Sequence, residues 1–369
     1  MQKIFITFVI LFSSSIDSRS YIDYESPYHP VVGNYGMVVS QNYLSSDIGI
    51  EILNKGGNAI DAAVAVGFSL AVTLPRAGNL GGGGFMLVYL KEKDEIFYID
   101  YRSKSPLNSN LENIFNISRN DGKKYEVVPI NFDTNKFDVL DTGYKASAVP
   151  GTVAGLLDAH ANFGKLKLKD ILEPVIALAE NGVQVSYDLH KAIESTPRLF
   201  NDPESQRIYF SDGKPIEEFS ILKLPDLANT FKLISKHGKD GFYKGETAMR
   251  IVEAMNKNNG LIAINDLNNY QADFRQPIST NYRGNKVFTA GPPSGGGITL
   301  LTALNILSFY DLQKFKSSSI KTYHLFSEAL RRGHNNRSSE VGDPDFYDVP
   351  VEQLLSKERT IELAKSIWF

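Results

Sequence analysis

A guanidinium at the end of an apolar strand is suited to one specific kind of chemistry, and Ile96-Phe-Tyr-Ile-Asp100-Tyr-Arg102 places one there. Arginine presents a planar fork that matches a carboxylate through two parallel hydrogen bonds, so Arg102 is either a solvated surface group or the clamp for a carboxylate. Upstream, the run Gly81 to Gly84 lacks both the dinucleotide fingerprint and a Walker sequence ending in Gly-Lys-Ser/Thr, which argues against phosphate binding. Four residues without side chains instead let this backbone approach another strand, a helix or a ligand closely. Ser294, in Gly291-Pro-Pro-Ser-Gly, departs from the Gly-x-Ser-x-Gly nucleophile elbow in the placement of its glycines. It reads as a turn or N-cap residue before a helix over 299–308. No serine hydrolase triad is identifiable. The 6 histidines never pair at helical ligand spacing and cysteine is absent, so no metal-site pattern exists and no cofactor is expected.

The elements that must position these groups follow from periodicity and capping. A helix starts at Ser45 or Ser46, runs to about Asn54 and stops at Gly56-Gly57. Asn58 caps a second helix whose apolar stripe, Ile60, Ala63, Val64, Gly67, Phe68 and Ala71, follows the i, i+3, i+4, i+7 pattern, with Asp61 in the first turn and Pro75 as the stop. Being apolar nearly all round, this helix is expected to lie deep. Residues 85–90 and 96–101 read as strands joined by the charged turn 91–95, and alternation puts Asp100 and Arg102 on one face with Tyr101 on the other. Residues 107–140, rich in Asn, Asp and Lys, read as an exposed loop region. Beyond Val149, helices are expected near 152–162, 174–181 (opened by Pro174), 226–237, 247–258, 299–308 and 322–332, with a strand near 287–290.

The bulk numbers exclude several partner classes. Lys plus Arg total 39 against 42 for Asp plus Glu, a net charge of −3, so no global field attracts nucleic acid or anionic lipid. A composition 42% hydrophobic is ample for a packed core. At the N-terminus, Lys3, the apolar run Ile4 to Phe12 and Ser13-Ser-Ser15 have the layout of a secretory signal peptide, too short for a stable membrane span. The alternatives are a buried first strand or a short anchor. Residues 1–18 are therefore expected to be a signal and 19–369 one domain, periplasmic or extracellular.

The ordered landmarks of the chain identify a likeness. They are Gly57-Asn-Ala-Ile-Asp61-Ala-Ala, Gly78-Asn-Leu-Gly-Gly-Gly-Gly84-Phe, Asp100-Tyr-Arg102, Val149-Pro-Gly-Thr-Val-Ala-Gly155, Leu178-Ala-Glu-Asn-Gly182, Gly241-Phe-Tyr-Lys-Gly245, Tyr282-Arg-Gly284, Pro292-Pro-Ser-Gly-Gly296 and Arg337-Ser-Ser-Glu-Val-Gly-Asp-Pro-Asp-Phe346. Together they resemble the large-chain region of gamma-glutamyltransferases, also called gamma-glutamyltranspeptidases or glutathione hydrolases. The resemblance implies an α+β fold of the N-terminal-nucleophile hydrolase type, a four-layer αββα sandwich that is incomplete without the small chain. It also implies transfer or hydrolysis of the gamma-glutamyl group of glutathione and related gamma-glutamyl compounds. In the family, a threonine freed at the new N-terminus of the small chain attacks the gamma-glutamyl amide, its own amine acting as the base. Arg102 matches the large-chain arginine that grips the glutamyl alpha-carboxylate; it is the one site residue carried over, and no catalytic residue is assigned to these 369 residues.

Two departures stand out. The family's Thr-Thr-His self-cleavage junction does not occur in the 369 residues, so this polypeptide by itself is expected to be inactive. In addition, Arg331-Arg-Gly-His-Asn-Asn-Arg337 stands where the family has an alanine- and tyrosine-containing helix, and Gly333 weakens a helix by about 1 kcal/mol, which suggests relaxed constraint. Two readings follow: a large chain whose small chain is encoded separately or lies beyond these 369 residues, or a secreted non-catalytic remnant that retains at most weak glutamyl-carboxylate binding. An unrelated amino-acid-binding module does not account for so many landmarks in order.

Overall fold

The computed structural model describes residues 31–110, 143–316 and 319–368; the expected signal segment 1–18 and most of the 107–140 loop lie outside them. Residues 31–37 belong to a separate unit and carry neither helix nor strand, while Val38 onward forms one compact unit. No helix among the described residues is long and apolar enough to cross a membrane.

Helix α1 (Tyr43–Asn54) is capped by Asn42, whose side chain accepts from the Leu44 amide, and not by Ser45 or Ser46. Ser45 is buried inside the helix, where its hydroxyl meets that of Thr73 at 2.8 Å. Helix α2 (Ala59–Thr73) opens on Asn58 with a full capping box: Asn58 Oδ1 accepts from Ile60 and Asp61, and Asp61 Oδ2 accepts from the Asn58 amide. The buried Asp61 carboxylate also accepts from the amides of Lys165 and Leu166, so the cap of α2 pins the loop that follows α3 (Thr152–Phe163). Helix α2 is deep, as its all-round apolar surface requires, and Gly67 lets Leu156 of α3 lie directly on it.

Strands β1 (Phe85–Leu90) and β2 (Glu95–Asp100) pair antiparallel, Phe85 opposite Asp100 and Leu90 opposite Glu95. Four two-residue strands pair off elsewhere as β3 (Val183–Gln184) with β6 (Ile221–Leu222) and β4 (Phe210–Ser211) with β5 (Lys214–Pro215). β7 (Asp273–Arg275) then joins β2 from far along the chain, and β8 (Ile278–Tyr282) with β9 (Asn285–Thr289) makes a separate hairpin.

Helix α4 (Leu168–Asn181) begins a turn and a half before the expected Pro174, which sits inside it. Lys167 makes no side-chain cap, so nothing local marks that start; buried Ile171, Leu172 and Val175 hold the first turns. After α5 (Tyr187–Glu194) and α6 (Pro203–Tyr209) come α7 (Pro225–His237), α8 (Asp240–Tyr243), α9 (Gly245–Lys257), α10 (Ile264–Asn269) and α11 (Gly295–Leu307). Then follow α12 (Ile320–Glu340), α13 (Val351–Leu354) and α14 (Lys357–Lys365). The main core gathers α2, α3, α4 and α7, with Met86 of β1 packed against it, and a smaller one joins α11, α12 and α14.

Helix α12 corrects the suggestion of relaxed constraint at 331–337, for it runs unbroken through that stretch. A Cβ on Gly333 would stand 2.6 Å from the Thr299 carbonyl oxygen, so glycine is what lets α12 touch α11. Arg332 is buried, donating to Ser366 O at 2.7 Å and Ser366 Oγ at 2.8 Å, and it pairs with Glu328. Asn336 accepts from Arg359 of α14 at 3.2 Å. The polar residues in this segment hold the C-terminal helix.

Candidate functional site around Arg102

Arg102 lies just past β2 with its side chain exposed, and among the described residues no hydrogen bond or ion pair holds its guanidinium. Its backbone, by contrast, is fixed from several sides. The Arg102 amide donates to Asp100 Oδ1 at 3.0 Å, and the Arg102 carbonyl accepts from the Tyr270 hydroxyl at 2.8 Å. The ladder extends one residue beyond β2, because Tyr101 and Gly84 exchange amide–carbonyl bonds of 3.0 and 3.2 Å.

The glycine run does what missing side chains permit. A Cβ on Gly83 would lie 2.6 Å from the Tyr101 oxygen and 2.8 Å from the Arg102 carbonyl carbon, and Gly82 O accepts from the amides of Gly151 and Thr152. Of the approaches left open for this run, the contact formed is with the 101–103 backbone and the start of α3. Tyr101 turns to the helix side of the sheet, where its ring fills space that Cβ atoms on Gly84 and Gly155 would occupy. Burial pushes its phenol up to about 12. Lys104 and Val149 exchange backbone bonds of 3.2 and 2.8 Å, so the 149–155 landmark flanks the Arg102 loop as well.

On the other face, Asp100 is 4% exposed and both its oxygens are engaged, Oδ2 accepting from Arg275 Nε at 2.8 Å. Arg275 reaches on to Asp345 at 3.0 Å and to Asp273 at 3.6 Å. Burial alone would lower the Arg275 pKa, but hydrogen bonds to Asp100 and Asp345 outweigh it and raise it. Tyr98 donates to the Gly291 carbonyl at 3.1 Å, tying the sheet to the Pro292–Pro293 turn, which contains a cis peptide bond. Ser294 is the N-cap residue of α11, but its hydroxyl makes no capping bond. Among the described residues no cluster of His, Cys, Asp or Glu is arranged to hold a metal. A cavity of 750 Å³ between α7 and α9 is lined by none of the residues around Arg102; Asp226 pairs with Arg207, Lys232 with Glu180 and Arg250 with Glu246, while Lys236 on its wall makes no ion pair among the described residues.

Sequence reading singled out Arg102 and the glycines around it, and the structure gathers these in one place. It did not find Tyr270 or Arg275, which stand 168 and 175 positions from their partners and carry no local signal.

The fold and the ordered landmarks define an α+β protein of the N-terminal-nucleophile hydrolase type. The family model described as gamma-glutamyltranspeptidase matches residues 45–368, and the chain belongs to that family. The glutathione hydrolase proenzyme of Escherichia coli K12 is 37% identical over 345 residues, 93% of this chain and 57% of that one. The crystal structure of Helicobacter pylori gamma-glutamyltranspeptidase superposes with a TM-score of 0.83 at 35% identity, covering 92% of this chain and 94% of the solved chain. The gamma-glutamyltranspeptidase from Pseudomonas nitroreducens, complexed with L-DON, gives 0.78 at 36% identity over 91% of this chain and 96% of that one. The chain thus spans little more than half the length of the curated proenzymes that it matches.

Proposed function

We propose that these residues are the large-chain part of an enzyme that transfers or hydrolyses the gamma-glutamyl group of glutathione and related compounds. The observation that carries this is the Arg102 guanidinium: exposed, without a partner among the described residues, and rooted in a backbone held at both its amide and its carbonyl. That is the form a carboxylate clamp takes before substrate arrives, since a fixed root lowers the ordering cost of a bidentate contact. Arg102 is assigned to the glutamyl alpha-carboxylate. The nucleophile is assigned to the N-terminal threonine of a small chain: its free amine accepts the hydroxyl proton as the oxygen attacks the gamma-carbonyl, then passes that proton to the departing amine as the amide C–N bond breaks and the gamma-glutamyl ester remains; water or an acceptor amine then cleaves the ester and returns the threonine hydroxyl.

One further observation supports a two-chain enzyme. On β1, Leu87 and Tyr89 point away from the helices and remain 41% and 56% exposed, an apolar sheet face suited to cover by a second layer. Export, with removal of residues 1–18, belongs to the same reading and is checked by the mass of the mature N-terminus.

The test is co-expression of residues 19–369 with a family small chain, followed by an assay with a chromogenic gamma-glutamyl anilide. Release above that of either chain alone supports the reading. A co-purifying pair that releases nothing would identify a non-catalytic remnant.

A further inference from the structure

The reach of an arginine clamp is set where its side chain leaves the backbone, because a small rotation of the flanking peptide is amplified along the flexible stem. At Arg102 the peptide on the C-terminal side is held by the hydroxyl of Tyr270, which donates to the Arg102 carbonyl at 2.8 Å. Tyr270 is itself immobilised. It is 7% exposed, and its ring stacks on Tyr243 with centroids 5.6 Å apart and planes 5° from parallel. Tyr243 in turn donates to Pro150 O at 2.8 Å and accepts from the Ala154 amide at 3.2 Å. The Lys104 ammonium, bonded to Asp273 at 2.8 Å, sits 5.6 Å from the Tyr270 centroid. Burial, and after it the neighbouring Tyr243, Asp100 and Asp273, raise the Tyr270 phenol above its ordinary range, so it stays a donor at any working pH.

We propose that Tyr270 is a positioning residue for the Arg102 clamp, setting the direction of the guanidinium by holding the Arg102 carbonyl. The proposal rests on the assignment of Arg102 to the glutamyl carboxylate. Chemistry favours a specific role over generic packing: the stacked ring fills its place without the oxygen, and the hydroxyl is spent on the one peptide whose orientation aims Arg102. A displacement of about 1 Å at a positioning group lowers rates by about 100-fold in demanding cases. Loss of a single neutral hydrogen bond should act more gently, raising KM by about 3- to 15-fold.

The experiment compares Tyr270→Phe, Arg102→Ala and the double variant in the assembled two-chain enzyme. Tyr270→Phe should raise KM for the gamma-glutamyl donor and lower kcat less, and on the Arg102→Ala background it should have almost no further effect. Equal factors on both backgrounds, or an unchanged KM, would overturn the proposal. Hydrogen exchange on the assembled pair measures the grip without activity. In Tyr270→Phe the Arg102 and Lys104 amides, bonded to Asp100 Oδ1 and Val149 O, should exchange faster while α2 is unchanged. Unaltered exchange at those amides would overturn the grip. If the wild-type pair releases no product, the functional assignment falls and the exchange result alone decides whether Tyr270 holds the loop.

Discussion

Arg275 Nε lies 2.8 Å from Asp100 Oδ2, joining the end of β2 to the last residue of β7 beneath the Arg102 loop. With the other Asp100 oxygen taken by the Arg102 amide, this carboxylate is committed to holding backbone in place. Through Asp345, the same guanidinium ties the loop after α12 to the sheet. The pair is largely covered, Asp100 at 4% and Arg275 at 20% side-chain exposure, so removing one member strands the other.

Arg275→Ala is accordingly expected to destabilise the chain by about 2–3 kcal/mol, discounted from a fully buried pair because Arg275 keeps some contact with water. Chemical denaturation measures it. The double variant with Asp100→Asn should cost less than the sum of the single changes; strict additivity would show that the two side chains do not interact energetically.

Arg102→Ala in the assembled enzyme should lower catalytic efficiency by about 10- to 200-fold, the equivalent of roughly 1.5–3 kcal/mol for a charged hydrogen-bonded contact. Arg102→Lys should recover part of this, because an ammonium keeps the charge and loses the planar fork. Equal activity of wild type and Arg102→Ala would remove Arg102 from the site.

The 369-residue polypeptide by itself is expected neither to cut itself nor to release anilide from a gamma-glutamyl substrate, since it contains no Thr-Thr-His junction. Intact mass after prolonged incubation and a chromogenic assay check both halves. Turnover that copurifies with the chain through successive columns would place the nucleophile within it.

Gly155→Ala sets two effects against each other. Alanine is the better helix former by about 1 kcal/mol, but its Cβ would fall inside the Tyr101 ring. Overpacking of this kind costs about 1–3 kcal/mol and should win, lowering the melting temperature. Gly296→Ala is the control: it lies in α11 with Ser294 Oγ 3.7 Å away as its nearest neighbour, so the helix-propensity gain should appear unopposed.

Glu328 supplies a pH test. Hydrogen bonds from Arg331 and then Arg332 hold its carboxyl down to about 2, below the ordinary glutamate range. A depressed folded-state pKa contributes stability that is complete above the unfolded value of about 4.3 and is lost as pH falls through the folded value. Glu328→Gln should therefore melt below wild type at neutral pH, with the gap closing as pH falls from about 4.3 towards 2. A gap independent of pH would mean that the charge is not what binds this turn of α12.

By itself the sequence determined the local and the periodic. The Asn58 cap, the stop at Pro75 and the all-round apolar surface of α2 define a buried helix whatever surrounds it, because each acts within a few residues. The charged turn at 91–95 defined the β1–β2 hairpin in the same way, and the ordered landmarks carried the family. Tertiary structure alone decided what those pieces are for. The Gly83 and Gly155 backbones are bare because of Arg102 and Tyr101, residues outside their own elements, and Gly333 is bare because α11 crosses it. Start sites without a cap, such as that of α4, depend on buried contacts that periodicity does not resolve. Most of all, the grip of Tyr270 and Arg275 on the Arg102 loop joins residues about 170 positions apart. A hydrogen bond across such a distance leaves no pattern in the residues beside it, since what selects each partner is the packing that brings the other within 3 Å.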